Sequence, residues 1–334
     1  MRRRRSSGTH LTRARALSLA LALFAFIASP AAAQKPATEG ALFLLLPIGA
    51  RTVGMGQAVV ADQPGSEAVW WNPAAIARSD RREIAIHHSQ TIIATGDAVS
   101  LVVPSALLGV IAIGANIVYY GREEVRDTVN TVGVLIPQNI VYAATYATPV
   151  AKRFSAGISY KIVQLRLDCS GGCAGIPTVS ASSSALDAGV QASLIGLAPA
   201  TVGISIRNVG PRLQVNDQSQ SDPLPTRIQA GVATSIPQVH RAAPELDMRV
   251  NADLLDDVKF RAPSLRVGSS IGYRDRAFAR VGYVFDRGDG EGDGPAFGLG
   301  VVAGNLVFDI ARIVRGLSAE SGQPPTYVSL RYLF

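Results

Sequence analysis

The sequence predicts an all-β protein: a transmembrane antiparallel β-barrel of about fourteen strands, with an amino-terminal segment plugging its lumen. Three observations lead there. From Arg82 onward apolar and polar residues alternate with the period of two that sends successive strand side chains to opposite faces. The gaps between strands mostly alternate between long and short. The last strand is alternating and ends on an aromatic residue, Phe334.

The composition fits such a protein. The chain has 334 residues, 48% of them hydrophobic, only 17% charged, and 32 glycines. Charge is below the quarter usual in soluble domains, as expected where side chains face lipid or a crowded lumen. The net charge of +7 does not mark a nucleic-acid binder, since several arginines precede residue 16 and the rest are scattered.

Residues 1–33 read as a secretory signal peptide. Arg2 to Arg5, Arg13 and Arg15 supply the positive region, Ala16 to Ile27 the apolar run, and Ala31-Ala32-Ala33 the small-residue cleavage site. The apolar run is short of the roughly 20 residues a membrane helix needs. The expected division is therefore 1–33 cleaved signal, 34–81 amino-terminal plug and 82–334 barrel, with export to the bacterial cell outer membrane.

Within 34–81, Leu42-Phe43-Leu44-Leu45-Leu46 is followed by a stretch rich in glycine and small residues, Gly49 to Ala58, and by weak helical character from Asp62 to Ala77. No later run has the length of a membrane helix, so a spanning chain must close its strands into a barrel that leaves no unpaired edge in lipid.

The strands are expected at about 82–90, 97–104, 107–120, 139–148, 153–167, 182–195, 200–207, 226–236, 244–255, 264–273, 276–286, 295–303, 304–313 and 325–334. Glu245 to Leu254 shows the pattern most clearly. Leu246, Met248, Val250, Ala252 and Leu254 point one way; Glu245, Asp247, Arg249, Asn251 and Asp253 point the other. Alternation alone also suits a soluble sandwich. The connections separate the two. Arg122 to Gln138, Asp168 to Ala181, Asn208 to Pro225 and Val314 to Pro324 are long, whereas Pro104-Ser105-Ala106, Arg274-Asp275 and the turn at Gly304 are short. Long loops at one end and tight turns at the other are the habit of outer-membrane barrels. Tyr332 and Phe334, on the final alternating face with Val328 and Leu330, look like the signal read by the barrel-assembly machinery.

The residues offer little chemistry. Neither a Gly-x-Ser-x-Gly elbow nor His-Glu-x-x-His occurs. His87 and His88 are adjacent, so on a strand they face opposite sides and cannot chelate together. Asp286 to Gly294 alternates carboxylates with glycine, but position twelve counted from Asp289 is Gly300, so a calcium loop lacks its glutamate. Gly54-Met55-Gly56 lacks the strand, third glycine and helix of a dinucleotide site. Cys169 and Cys173 most simply form a local disulfide, with free thiols as the other option; a metal site lacks two further ligands nearby. Lys161, Arg249, Arg266, Asp253 and Asp309, on lumenal faces, are expected to pair with each other and with the plug. No enzyme, cofactor or metal is expected.

Two stretches carry a family resemblance. Gly49-Ala50-Arg51 through Gly54-Met55-Gly56-x-Ala58, then Trp71-Asn72-Pro73-Ala74, resemble the amino-terminal signature of the PorV/PorQ family, related to FadL-type transporters. Ile206 to Pro211, Leu224 to Gly231, Ala279 to Tyr283 and Phe297 to Gly300 resemble its middle and end. The resemblance implies a fourteen-stranded barrel with the amino-terminal segment in the lumen, and a plug motif of Gly49, Arg51, Gly54, Met55, Gly56, Asn72, Pro73 and Ala74. Candidate partners for Arg51 are Asp187, Asp247 and Asp253. It further implies one of two roles. The first is a type IX-like secretion component whose extracellular loops receive cargo proteins; the second is a transporter of hydrophobic small molecules. Expected partners are outer-membrane lipid, the barrel-assembly machinery, and secreted cargo or hydrophobic ligands, with no nucleic acid.

Overall fold

The computed structural model describes residues 39–62, 65–105, 107–127, 130–173, 179–194, 199–214, 221–261, 263–286, 294–314 and 322–334. Residues 1–33 and most of the Asp286 to Gly294 loop lie outside them. The described chain opens with short 3₁₀ turns at Leu42–Leu45, Gly65–Glu67 and Pro73–Arg78, and with two short helices, α1 (Ala50–Gly54) and α2 (Ala68–Trp71).

The strands follow: β1 (Glu83–Gln90), β2 (Thr95–Ser105), β3 (Gly109–Tyr119), β4 (Glu123–Asp127), β5 (Asn130–Ala151), β6 (Phe154–Gly171), β7 (Val179–Leu194) and β8 (Ala200–Val209). After the small hairpin β9 (Leu213–Gln214) and β10 (Ser221–Asp222) come β11 (Arg227–Ser235), the helix α3 (Pro237–Ala242), β12 (Leu246–Asp257), β13 (Ser264–Tyr273), β14 (Ala277–Asp286), β15 (Gly294–Ala303), β16 (Leu306–Ile313) and β17 (Thr326–Leu333). All but β4, β9 and β10 form one antiparallel wall of 14 strands, and the β1–β17 pairing from Glu83↔Leu333 to Gln90↔Thr326 closes it.

The wall is inside out relative to a soluble sandwich. Its buried face carries Ser100, Ser159, Asp187, Asp309 and Ser329, and its exposed face carries Ile84, Ile86, Val99, Ile113, Ile158, Val190 and Ile204. In water this would forfeit the burial of each apolar side chain, roughly 25 cal/mol per Å². In a bilayer it is the arrangement that satisfies both phases. The alternation along β12 thus resolves as Asn251 and Asp253 inward and Leu254 outward.

The expected strands agree with the wall closely, and β13 agrees at both ends. The main departure is height. β5 runs for 22 residues, β6 for 18 and β7 for 16, whereas a tilted spanning strand needs about 9–11. The surplus rises beyond the wall at the long-loop end, where β4 joins β5 as an outer strand. Pro137, in the stretch expected to be a long connection, falls in the gap between the β3 ladder, which ends at Tyr119↔Gln138, and the β4 ladder, which begins at Glu123↔Leu135. Proline is tolerated where a ladder bond is not required.

Candidate functional site

The amino-terminal segment makes contact with inward-facing residues all round the wall. Its first anchor is α1. The Ala50 N–H donates to Ser329 Oγ on β17 at 2.8 Å. The N–H groups of Arg51 and Thr52, which a helix start leaves without partners, donate to the Glu67 carboxylate at 3.3 and 2.9 Å, and the Thr52 hydroxyl donates to it as well. Glu67 is wholly buried. Burial pushes its carboxyl above the ordinary range, while Arg331, Thr52 and Arg51 draw it back. Gly49, at φ 98°, leaves the space that this carboxylate occupies: a Cβ there would lie 2.2 Å from Glu67 Cδ.

The Gly54-Met55-Gly56 run lies directly on wall backbone. A Cβ on Gly282 of β14 would sit 1.9 Å from the Gly56 nitrogen, and one on Gly268 of β13 would sit 2.2 Å from the Met55 carbonyl oxygen. Glycines on both partners let two main chains touch where side chains would hold them apart.

Past this point the segment has little regular structure, and wall amides supply its hydrogen bonds. Gln229 donates to the Gln57 carbonyl at 3.1 Å, Asn251 to Ala58 at 2.7 Å, and Gln191 to Val60 and Asp62 at 3.0 and 2.8 Å. The Val60 N–H donates to Asp253 at 2.8 Å. Irregular backbone away from water requires such partners. Asn72 then works at both ends: its Nδ2 donates to the Val60 carbonyl at 2.6 Å, and its Oδ1 caps the Pro73–Arg78 turn by accepting from the Ala74 N–H at 3.1 Å. Pro73 occupies the first position of that turn, where a missing N–H costs nothing.

The two tryptophans lock the far side. Trp70 donates to Ser100 on β2 at 3.0 Å, and Trp71 to the Ile48 carbonyl at 2.9 Å. The Arg207 guanidinium lies 4.8 Å from the Trp71 ring centroid and donates to the Trp70 carbonyl at 3.1 Å.

Ion pairs connect segment and wall. Arg51 pairs with Asp62 at 3.0 Å, and Arg249 of β12 pairs with the same carboxylate. Arg51 therefore meets a residue of its own segment rather than Asp187, Asp247 or Asp253: the chain doubles back and brings buried Asp62 within reach, which no strand periodicity reports. A second cluster joins Arg280 and Arg331 to Asp309 at 2.7 and 3.1 Å, with Glu83 3.7 Å from Arg331. Lys161 pairs with Asp187 at 2.5 Å. His87 faces in and contacts Ser329 at 2.8 Å, while His88 faces out beside Asp97. Cys169 and Cys173 form a disulfide at the top of β6.

The space that is left is uneven. Between Phe43, Leu46, Ile48, Trp70, Trp71, Lys161 and Arg207 there is a cavity of about 20 Å³, room for about one water. A larger hollow of about 420 Å³, lined by Arg51, Met55, Asp62, Arg249, Phe278 and Arg280 among others, opens at the short-turn end. Of its charges, Arg51 and Arg249 pair with Asp62, and Arg280 with Asp309. No group of three or more potential metal ligands occurs among the described residues.

A closed antiparallel wall of 14 strands, oily outside and polar within, defines an outer-membrane β-barrel protein. Residues 29–248 match the family of the type IX secretion system protein PorV, and the chain belongs to that family. In three dimensions it is similar to the CymD monoaromatic hydrocarbon channel, with TM-score 0.56 and 14% identity, covering 87% of this chain and 98% of that one. It is also similar to the Pseudomonas putida toluene transporter TodX, with TM-score 0.55, 10% identity, and 86% and 98% of the two chains covered. The Ralstonia pickettii toluene transporter TbuX matches with TM-score 0.50, 13% identity and the same coverage, 86% and 98%. At these identities the likeness is one of fold. No curated protein sequence matches the chain.

Proposed function

We propose that this barrel is a non-enzymatic, type IX-like secretion component that binds cargo at its extracellular end, with residues 34–81 as a fixed plug. The observation that carries this reading is the contrast between an interior crossed by the tightly held amino-terminal segment, with a hollow of about 420 Å³ at the short-turn end, and an open outer sheet. Above the wall, β5, β6 and β7 continue as a sheet whose inward face presents Leu135, Pro137, Leu167 and Val179, all half-buried. β4 pairs with β5 alone, so among the described residues its other edge carries no strand. Apolar side chains beside a free edge suit the docking of a folded β-domain.

Photocrosslinkers placed at Leu135 and Leu167 in the native outer membrane test this. Adducts with proteins that share a carboxy-terminal β-domain are expected; adducts confined to lipid and barrel-assembly factors overturn it. Residues 1–33 are proposed as the cleaved signal, checked by amino-terminal sequencing of the membrane-inserted protein, which should start near Gln34. Tyr332 and Phe334 are proposed as the assembly signal.

The second reading, a FadL-like transporter of hydrophobic small molecules, is favoured by one feature: Phe43, Leu46, Trp70 and Trp71 form an apolar cleft over Lys161 and Arg207. For that role the cleft must expand well beyond one water. The wall beside it must also part: the β2–β3 and β3–β5 ladders run without interruption, whereas the β7–β8 ladder shifts register between Leu186 and Ala188. Uptake of a fluorescent hydrophobic probe by reconstituted vesicles, faster than in empty vesicles, would move the assignment to transport.

A further inference from the structure

The short-turn end is not uniform around the barrel. In the sector of β11 to β14 the exposed charges balance in number: Arg241, Arg274 and Arg276 stand with Glu245, Asp247 and Asp275, Arg274 pairs with Glu245 at 2.5 Å, and His240 lies 3.3 Å from Asp247. In the sector of β1 to β6 they do not. Arg81, Arg82, Lys152 and Arg153 are all exposed, and Asp80 is the one exposed carboxylate within 78–82 and 150–154.

These two stretches are adjacent because Arg78 ties them. It donates to the Lys152 carbonyl at 3.1 Å and to Ser155 Oγ at 3.2 Å. From there residues 78–82 cross to β1, where Arg82 and Phe334 exchange backbone hydrogen bonds at 3.2 and 2.9 Å.

The same sector carries leucines where a turn in water would not. Leu107 and Leu108, in the turn between β2 and β3, are 94% and 64% exposed, and Val150 in the neighbouring turn is exposed too. They continue downward the lipid-facing surface of Ile111, Ile113, Tyr146 and Ile158 on β3, β5 and β6. An apolar patch continuous with the membrane face and fringed by cations matches the order of a leaflet: acyl chain first, phosphate beyond it.

We propose that this sector is a binding surface for anionic phospholipid of the periplasmic leaflet. Leu107 and Leu108 enter the acyl–glycerol boundary, and Arg81, Arg82, Lys152 and Arg153 hold the headgroup phosphates. The orientation follows from the short turns, which in these barrels face the periplasm. The surface binds lipid on one side of the barrel only, and it does so whether the protein shuttles cargo or transports ligands.

The test is lipid selectivity of the full-length mature protein, reconstituted in mixed vesicles of phosphatidylcholine and phosphatidylglycerol. Spin-labelled analogues of each lipid report which of them is held at the protein. A several-fold preference for phosphatidylglycerol is expected, weakening at high salt as surface charges are screened. Arg81→Gln/Arg82→Gln/Lys152→Gln/Arg153→Gln should bring the preference close to parity, and Arg274→Gln/Arg276→Gln should leave it intact. Leu107→Ser/Leu108→Ser should lower it in part. Each variant is first shown to keep the folded, heat-modifiable band. An equal preference in the quadruple variant and the wild type, or none in the wild type, overturns the proposal, as does full displacement of the labelled lipid by inorganic phosphate.

Discussion

Inside the wall, the segment from Gly49 to Arg78 meets glycines, amides and guanidinium groups on strands from every side. Above it, the sheet formed by β4 to β7 holds half-buried apolar side chains, and among the described residues β4 pairs with β5 alone. The first region is over-determined: wall amides serve the segment's irregular backbone, and its main chain touches glycine. The second keeps a face and an edge in reserve. A protein that admits a solute through its centre needs a path past the segment, and the hollow of about 420 Å³ at the short-turn end meets Arg51, Met55 and Asp62 of that segment. That difference, more than the likeness to hydrocarbon channels, inclines the reading toward an outer binding surface.

The comparison breaks first at Gly282. Gly282→Val puts a side chain where the Gly56 nitrogen lies 1.9 Å from an ideal Cβ, with backbone on both sides and nothing flexible to yield. A loss of about 4 kcal/mol or more is expected, read as a fall in the urea midpoint of the folded band. Gly304→Ala is the control: nothing lies within 4 Å of its Cβ, although its φ of 61° still costs about 1 kcal/mol. Equal effects of the two would mean that the segment is not pressed on the wall.

Next comes Asp309→Ala. It removes the carboxylate shared by Arg280 and Arg331, leaving two buried cations near each other. Breaking such a cluster costs about 3–5 kcal/mol, measurable by the same unfolding curve. Asp309→Asn should recover part of the loss, since the amide oxygen still accepts.

Arg51→Ala is smaller. Asp62 keeps Arg249, so the loss is about 1–2 kcal/mol. The expected consequence is local loosening of the segment and greater leakage of small solutes through reconstituted protein. Conductance equal to the wild type would show that this pair gates nothing.

Much of the wall was legible because a strand between lipid and lumen has no freedom in its pattern. Leu254 beside Asp253 admits only one orientation, and fourteen such strands leave only closure. The stretch from Gly49 to Ala74 stood out in the sequence as residues, but its contacts did not. The pairing of Arg51 with Asp62, and of Glu67 with the first turn of α1, depends on a chain reversal within an irregular segment, where no period exists to read. Glu67 was missed for this reason, although a carboxylate between apolar neighbours, Ser66-Glu67-Ala68-Val69, already hinted at a buried role. The height of β5 was missed because Arg122 to Gln138 read as a long connection: Val134-Leu135-Ile136-Pro137 does not alternate, just where the ladder changes partners from β3 to β4.

The smallest effect on stability should accompany the largest effect on binding. Leu135 and Leu167 lie on strands two residues apart in register, through Leu135↔Cys169 and Pro137↔Leu167, and both are half-buried. Leu135→Asp/Leu167→Asp places two charges on a face already reached by water, so unfolding should move by no more than about 0.5 kcal/mol. A docking β-domain would instead have to bury both carboxylates unpaired, at roughly 2 kcal/mol or more each, which weakens the complex by about three orders of magnitude at the sum. Recovery of cargo by pull-down with the double variant should therefore fall to background while its folded band is unchanged. Undiminished recovery would remove the outer sheet from the binding role and return attention to the cleft beneath Trp70 and Trp71.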